Sequence, residues 1–164
     1  MEPDILDQLF KKYYNEAMLY AFTLCRNKDL AEDLVAESFY KALSKLTKEI
    51  THFKFWLLRV IKTTYLDYLR KSRRNVALQD NIIDETEDVA SKLIRNEQYA
   101  ELYKAIDRLD DYYREIITLH YFQDLKFKEI GEILDKTEAQ IKSAAYEARQ
   151  KLKRMLEEDK DGRK

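Results

Sequence analysis

The chain has 164 residues, with 30 Lys and Arg against 31 Asp and Glu, and only two glycines and one proline. Sheets need many glycines and prolines in their turns, so this composition predicts an all-α protein. No apolar run approaches the roughly 18 residues of a membrane span, and the acidic start is unlike a signal peptide. We therefore expect a cytoplasmic protein with no membrane contact of its own.

The cysteine and histidine content argues against a metal centre and against an enzyme. Cys25 is the only cysteine, which excludes a disulfide framework and a thiolate metal site. His52 and His120 have no His, Cys or carboxylate nearby in sequence at metal or catalytic spacing, and no glycine-rich phosphate loop is present. We expect no catalytic residue, no metal and no cofactor.

Two helices are predicted first along the chain. Apolar residues at three- and four-residue spacing indicate a helix from Pro3 or Asp4 to about Arg26. After a short turn, Asp29 is expected to cap a second helix that runs from Leu30 to about Leu46. Its apolar positions predict a buried face made of Ala31, Leu34, Val35, Ser38, Phe39, Ala42 and Leu43.

Acidic residues gather in the first turns of the second helix. Glu32, Asp33 and Glu37 lie off its apolar face. The helix macrodipole stabilises acids near a helix start by a few tenths of a kcal/mol each, so they need no function. A partner-binding role is the other explanation, and the residues alone leave both open.

The segment from Phe53 to Arg74 stands out, since it holds seven Lys or Arg and one acid, Asp67. We predict a helix from Phe53 to about Lys71 that follows a loop from Thr47 to His52. Its apolar stripe consists of Phe53, Trp56, Leu57, Val60, Ile61, Thr64 and Tyr68, and we expect Trp56 to lie in the core. Another face carries a cationic row, made of Arg59, Lys62, Thr63, Leu66, Arg70, Arg73 and Arg74. Such a row, among aromatic residues, is typical of a surface that binds a nucleic acid.

Charge divides the chain further. Residues 75–90 contain five acids and no base, whereas residues 135–156 carry six bases and three acids. We predict two small helical domains, 1–74 and 91–164, joined by an acidic linker at 75–90. Two basic patches separated by an acidic stretch suggest two nucleic-acid contacts. The acidic stretch between them is also explained by a solvated spacer that has no binding role.

The second domain is predicted to be a four-helix unit that contains a helix-turn-helix at residues 126–152. Its helices are expected from about Ala90 to Leu109, Tyr112 to Phe122, Lys126 to Leu134 and Thr137 to Leu156. Gly131 supplies a small residue for close helix approach, at a propensity cost of about 1 kcal/mol relative to Ala. A turn around Asp135 and Lys136 follows, in which Asp135 must tolerate a left-handed backbone.

The start of the last helix combines a cap with candidate base readers. Thr137 and Gln140 have capping-box spacing. Gln can read adenine bidentately, while Lys and Ser can contact bases or phosphates. A plain antiparallel helix pair with a charged outer face is the alternative, which the glycine placement and the basic tail disfavour.

Four segments in order resemble the extracytoplasmic-function sigma factors, the smallest members of the bacterial sigma-70 family. They are AEDLVAESF at 31–39, FWLLRV with DYLR within 55–70, Leu109 to Leu134 with EIG at 129–131, and 142–152 with Lys142-Ser143, Ala148-Arg149 and Leu152. Each block is weak alone, but all four at these separations are specific. The resemblance covers about residues 5–156.

The resemblance implies an RNA polymerase sigma factor that binds core bacterial RNA polymerase, recognises −35 and −10 promoter elements and promotes DNA opening. Residues 1–74 would be sigma region 2 and residues 91–164 region 4. The implied partners are core polymerase, through the clamp helices of its largest subunit and its flap, and promoter DNA. An anti-sigma factor is a further candidate, whose existence the sequence leaves open. The expected contacts with the polymerase clamp are Glu32, Asp33, Leu34 and Glu37.

The resemblance also assigns DNA contacts to the third and last helices. His52, Thr63 and Asp67 are candidates for a pocket that holds an unstacked base. The cationic residues at the end of the third helix, Arg70, Lys71, Arg73 and Arg74, suit contacts with phosphates. The expected −10 contacts are His52, Lys54, Arg59, Lys62, Thr63, Tyr65, Asp67, Arg70, Lys71, Arg73 and Arg74. The expected −35 contacts are Thr137, Glu138, Gln140, Lys142, Ser143, Tyr146 and Arg149.

This sequence departs from the family pattern in places that bear on those contacts. Ala36 replaces a usual Gln on the second helix, so we expect a weaker polymerase contact there. Gln140, Ala144 and Glu147 stand where Thr, Arg and Arg are common, so we expect altered or weaker −35 reading.

Two other functions compete with this one. A helix-turn-helix repressor or activator with a helical ligand or dimerisation domain would form a dimer and bind DNA tightly without polymerase. A helical interaction protein would leave the basic row of the Phe53–Arg74 segment unexplained.

Overall fold

The structure, a computed structural model, describes residues 3–45, 52–74 and 99–161. The chain divides into two compact units, Met1–Ala90 and Ser91–Lys164. The regular elements of the described residues are all helical. They are α1 (Pro3–Cys25), α2 (Lys28–Lys45), α3 (Phe53–Arg74), α4 (Ala100–Asp107), α5 (Asp111–Ile117), α6 (Phe127–Leu134) and α7 (Glu138–Asp161).

The first unit is a three-helix bundle in which each of α1, α2 and α3 packs against the other two. Aromatic rings join the helices: the Phe39 ring of α2 lies 5.1 Å from that of Phe10 on α1 and 5.1 Å from that of Phe53 on α3. Such tilted and edge contacts stabilise a core beyond simple area burial. The predicted buried face of α2 is confirmed, except that Leu43 is only half-buried.

The turn between α1 and α2 corrects one prediction. Asn27, and not Asp29, caps α2: its side-chain oxygen accepts a hydrogen bond from the Leu30 amide over 2.9 Å. The helix therefore begins at Lys28 and places Asp29 in its first turn. Arg26 ends α1 in a left-handed conformation, with φ 53°. Cys25 beside it is half-buried, and burial raises the pKa of its thiol.

The described part of the second unit holds four α-helices, as predicted. A cluster of buried residues brings α4, α5 and α7 together, namely Ala105, Ile106, Leu109, Ile117, Ala148 and Leu152. After α5 the chain widens into a π-helical turn at Thr118–Phe122, because the Gln123 amide donates to the Thr118 carbonyl five residues back. Asp124, with φ 58°, then redirects the chain toward α6.

Arg114 ties the start of α5 to the end of α4. Its guanidinium is buried and donates to the carbonyls of Leu109 (2.6 Å) and Asp107 (2.8 Å) and to the Asp111 carboxylate (2.8 Å). Carbonyls at a helix end lack partners within the helix, so this side chain satisfies groups that would otherwise be unpaired.

Several predictions lie outside the described residues. They are the acidic linker at 75–90, the loop from Thr47 to Thr51 and the helix beginning near Ala90, of which the structure describes Ala100–Asp107. The domain boundaries at 74 and 91 stay predictions. Among the described residues, no helix combines the length and apolar character needed to cross a bilayer.

Candidate nucleic-acid interface

One side of α3 is buried and the other carries the cationic row. Phe53, Leu57, Leu58, Val60, Ile61 and Thr64 face the core of the first unit. The helical repeat then turns Arg59, Thr63 and Leu66 outward, and all three are exposed. The row continues through the end of the helix with Arg70, Lys71, Arg73 and Arg74, which are exposed as well.

Two residues of the predicted apolar stripe are not in the core, since Trp56 is half-buried and Tyr68 is 42% exposed. The Trp56 ring packs edge-on against Phe55 at 5.9 Å, and the Arg59 guanidinium lies 5.2 Å from the Trp56 ring. Phe55 is also half-buried, and the sequence pattern had given it no place in the site. These two rings and one guanidinium form an aromatic and cationic surface next to the outward row, of the kind on which bases stack.

Other predicted −10 residues are engaged within the unit. The Lys54 ammonium pairs with the Glu16 carboxylate at 3.2 Å, and Asp67 pairs with Arg70. The Thr63 hydroxyl donates to the Arg59 carbonyl over 2.9 Å. Lys62 and Tyr65 are half-buried, and His52 is exposed one residue before α3. The rest of the predicted base pocket falls in the undescribed loop.

The acidic face of α2 is separate from its buried face. Glu32, Asp33 and Glu37 are exposed, whereas Leu34 is 2% exposed. Leu34, which was predicted as a clamp contact, therefore packs in the core and is not part of the exposed acidic face. Tyr40 is 77% exposed and lies one helical turn beyond Glu37, so it adds an aromatic ring to this face.

The turn of the helix-turn-helix has the geometry that the sequence predicted. Asp135 ends α6 with φ 57° and ψ 50°, a left-handed conformation that Asp tolerates better than most residues. The Lys136 amide then donates to the Gly131 carbonyl over 2.9 Å. A Cβ on Gly131 would lie 2.5 Å from the Lys136 carbonyl oxygen. The glycine is needed because the backbone of the turn comes close to it, whereas the sequence had suggested a close approach of two helices.

The capping box at the start of α7 is confirmed, and it changes the role available to Gln140. The Gln140 amide donates to the Thr137 hydroxyl oxygen over 3.1 Å, and the Thr137 amide donates to the Gln140 side-chain oxygen over 2.9 Å. Bidentate adenine reading needs both that oxygen and the side-chain nitrogen. Gln140 cannot read adenine in this way while it caps the helix.

The outward face of α7 presents polar and cationic groups. Glu138, Lys142, Ser143, Tyr146 and Arg149 are all exposed. By helical spacing Ala139 and Gln150 lie on the same face, although no sequence signal had singled them out. Ala144, which stands where Arg is common in the family, is 6% exposed.

A cleft of about 490 Å³ runs beside that face. Tyr112 and Tyr113 of α5 line one side, and the turn and α7 supply Lys136, Ala139, Gln140, Ser143, Ala144 and Glu147. The Tyr113 hydroxyl donates to the Glu147 carboxylate over 2.6 Å. This hydrogen bond, more than burial, raises the pKa of Tyr113.

Among the described residues, no group of three or more His, Cys, Asp or Glu side chains is placed so that it could hold a metal ion.

Two known protein families match this chain, one in each of its two units. The family "Sigma-70 region 2" matches residues 9–75, and "Sigma-70, region 4" matches residues 99–152. The ECF RNA polymerase sigma factor SigM of Bacillus subtilis is 32% identical over 151 residues, which cover 90% of this chain and 93% of SigM. The RNA polymerase sigma factor SigV of the same organism is 35% identical over 132 residues, with 78% and 76% covered.

A solved structure shares the fold. The sigma factor RpoE of Bartonella quintana, determined in complex with the anti-sigma factor NepR, superposes with a TM-score of 0.68 at 24% identity. The match covers 92% of this chain and 96% of RpoE. With both sigma regions matched in order and SigM similar along nearly its whole length, this chain belongs to the ECF RNA polymerase sigma factors of the sigma-70 family.

Proposed function

We propose that this sigma factor directs core RNA polymerase to promoters through three surfaces, one each on α2, α3 and α7. The observation that carries the proposal is that each structural unit presents an outward helix face with exposed cationic side chains, on a chain that contains both sigma regions. We propose that it acts in the cytoplasm, by binding and not by catalysis.

The outer face of α3 would capture the non-template strand of the −10 element. Bases taken out of the stack need aromatic surfaces and pockets, and Phe55, Trp56 and Arg59 offer such a surface. Arg70, Lys71, Arg73 and Arg74 would contact the phosphates. His52, Lys54, Lys62, Thr63, Tyr65 and Asp67 remain proposed neighbours of this site.

DNA opening requires more free energy than one helix can supply. Stacking averages roughly 1.4 kcal/mol per base-pair step, so opening on the order of ten steps costs more than ten times a typical surface contact. The polymerase would therefore hold the opened DNA, while this protein would choose where it opens by meeting particular unstacked bases.

The acidic face of α2 would dock on the clamp helices of the polymerase. Glu32, Asp33 and Glu37 supply charge that suits a basic partner, and the exposed Tyr40 supplies apolar area. Interfaces commonly have an aromatic anchor among polar residues, whereas Ala36, in place of the usual Gln, would weaken the contact.

The outward face of α7 would lie in the major groove of the −35 element. Lys142, Ser143, Tyr146 and Arg149 would contact bases and phosphates, and the capped helix start at Thr137 and Glu138 would face the backbone. Gln140 would contribute through its side-chain nitrogen alone.

A helix-turn-helix repressor or activator is not favoured. Its N-terminal domain would have to be a ligand or dimerisation domain, whereas residues 9–75 match sigma region 2. The two functions differ in a simple property, since a repressor binds its site without polymerase.

The direct test is to add the purified protein to core bacterial RNA polymerase and map transcription starts on genomic DNA. We expect starts that neither component produces alone. Charge reversal at Arg70 and Arg74 should reduce open-complex formation more than core binding, and charge reversal at Asp33 and Glu37 should do the opposite. If several core enzymes gave no promoter-specific starts, the proposal would fail.

An anti-sigma factor is proposed as a further partner, because RpoE of Bartonella quintana was solved with one. Affinity purification of the tagged protein from its host, with and without core polymerase, would test whether one exists.

A further inference from the structure

Glu147 places a negative charge on the side of α7 that is proposed to meet DNA. It is exposed, follows Tyr146 directly and lies one helical turn after Ser143. Duplex DNA carries one negative charge about every 1.7 Å along its axis. A freely moving carboxylate at this position would come close to phosphates and would oppose binding.

The structure shows the Glu147 carboxylate held to one side. The Tyr113 hydroxyl donates to Glu147 Oε2 over 2.6 Å, across the cleft between α5 and α7. A hydrogen bond to an ionised acceptor is shorter and stronger than one between neutral groups. The carboxylate is therefore bound to the α5 wall of the cleft.

Two lysines lie near the Tyr113–Glu147 hydrogen bond. The Lys151 ammonium lies 4.7 Å from the Tyr113 ring and 3.6 Å from the Asp110 carboxylate. Lys136 lines the cleft near the turn. Lys151 is engaged with the Tyr113 ring and with Asp110, and Tyr113 provides the hydrogen bond that the structure records for the Glu147 carboxylate.

We propose that Tyr113 is a positioning residue for DNA binding: its hydroxyl holds the Glu147 carboxylate against α5 and so keeps a negative charge away from the DNA-binding face of α7. This inference rests on the proposed −35 role of α7 and deepens it. Tyr113 itself need not touch DNA. Tyr113 affects the affinity for DNA by fixing the position of the Glu147 carboxylate.

The proposal predicts coupling between two substitutions. Tyr113→Phe removes the hydroxyl and keeps the ring, so it frees the carboxylate and should weaken binding about fivefold at low salt, as expected for one like charge near a surface. Glu147→Gln keeps the shape and removes the charge. It should restore binding in the Tyr113→Phe background but change it less than about twofold alone.

The test uses the holoenzyme and fluorescein-labelled duplexes taken upstream of mapped start sites. Binding is measured for the parent chain, both single variants and the double variant at several salt concentrations. The fivefold reduction should shrink as salt rises, because screening weakens a surface charge effect. Tyr112→Phe, a neighbouring tyrosine in the same cleft, is the matched control and should bind as the parent does.

Three outcomes decide between explanations. If Glu147→Gln raised affinity equally in both backgrounds, the carboxylate would not be held and the inference would be wrong. If Glu147→Gln alone weakened specific binding, Glu147 would read a base, as a cytosine amino group allows, and the inference would again be wrong. A merely structural Tyr113 would leave the double variant as weak as Tyr113→Phe.

Binding by the parent holoenzyme distinguishes a failure of this inference from a failure of the proposed role of α7. If the parent chain gave no binding that depends on the −35 sequence, the proposed role of α7 and the inference would both fail. If the parent bound specifically and the two substitutions were additive, only the inference would fail.

Discussion

The Lys136 carbonyl oxygen lies 2.5 Å from the point that a Cβ on Gly131 would occupy, so the turn of the helix-turn-helix packs directly onto this glycine. The Lys136 amide also donates to the Gly131 carbonyl over 2.9 Å, which fixes the backbone at that distance. The neighbouring atom belongs to the backbone, which cannot rotate away as a side chain could.

Gly131→Ala should therefore destabilise the second unit. Overpacking of this kind costs about 1–3 kcal/mol, against a gain of about 1 kcal/mol in helix propensity. We expect a net loss of about 2 kcal/mol, since a backbone contact this short lies at the upper end of the range. Lys128→Ala, at an exposed position of the same helix, should change stability by less than about 0.5 kcal/mol. Thermal unfolding followed by circular dichroism measures both, and equal effects would contradict this account.

Arg114→Ala should be among the most damaging substitutions in the second unit. It removes a buried guanidinium and leaves the Leu109 and Asp107 carbonyls without their donor, with an expected loss of about 3 kcal/mol. Asp111→Ala breaks the ion pair to the same arginine, but that carboxylate is 99% exposed, so the loss should stay under about 1 kcal/mol. Denaturant unfolding compares the two. Trp56 fluorescence, which reports on the first unit, should not change in either variant.

Trp56→Ala and Leu57→Ala should separate DNA binding from folding. Trp56 is half-buried, and removing a base-stacking ring should cost about 1–3 kcal/mol in binding of single-stranded −10 DNA by the holoenzyme. Leu57 is 1% exposed, and its truncation should cost about 2–5 kcal/mol in the stability of the first unit. A thermal melt and a strand-binding assay on each variant make the comparison. If Trp56→Ala instead lowered stability without weakening strand binding, Trp56 would be a core residue and not a base-stacking one.

Arg73→Ala and Arg74→Ala should weaken DNA binding in a way that salt reveals. Both side chains are exposed at the end of α3. Removing one cation that neutralises a phosphate should reduce the slope of log affinity against log salt by about 0.7 for single-stranded DNA. Lys11→Ala, whose partner is Asp7 on α1, serves as the control and should leave the slope unchanged. Titration at four or five salt concentrations gives the slopes.

Alkaline pH should test the Tyr113–Glu147 hydrogen bond by its effect on stability. The bond to Glu147 raises the pKa of Tyr113 above its ordinary value. A group whose pKa is raised on folding contributes stability that is complete below its unfolded pKa, about 10 for Tyr, and is lost as pH rises through the folded value. Glu147→Gln should reduce this loss. Since Tyr103 and Tyr112 also have raised pKa values, the difference between parent and variant is the informative quantity.

Predictions from the sequence were right where periodicity and spacing are strong signals. Helical spacing predicted both domains as helical bundles, and the Thr137–Gln140 spacing predicted a capping box that the structure contains. The left-handed turn at Asp135 was predicted as well. These features depend on residues within one or two turns of each other, so local sequence is sufficient to specify them.

Errors arose where nearby residues offer equivalent local choices. Asn27 and Asp29 are both good capping residues, and in the folded chain the Asn27 side-chain oxygen is the one that accepts from the Leu30 amide. The predicted apolar stripe included Trp56 and left out Leu58, yet Leu58 is 1% exposed while Trp56 is half-buried. The width of the buried face depends on how closely neighbouring helices approach, which the spacing of one helix does not contain.

The chain's order of residues by itself determined the helical class, the basic faces, the turn at residues 131–137 and membership of a recognisable family pattern. Only the tertiary structure decided which polar groups remain available. It buried Leu34, engaged the oxygen of Gln140 in a cap and joined Glu147 to Tyr113 across a cleft. Tyr113 and Glu147 are 34 residues apart, and only folding of α5 against α7 brings the hydroxyl within reach of the carboxylate.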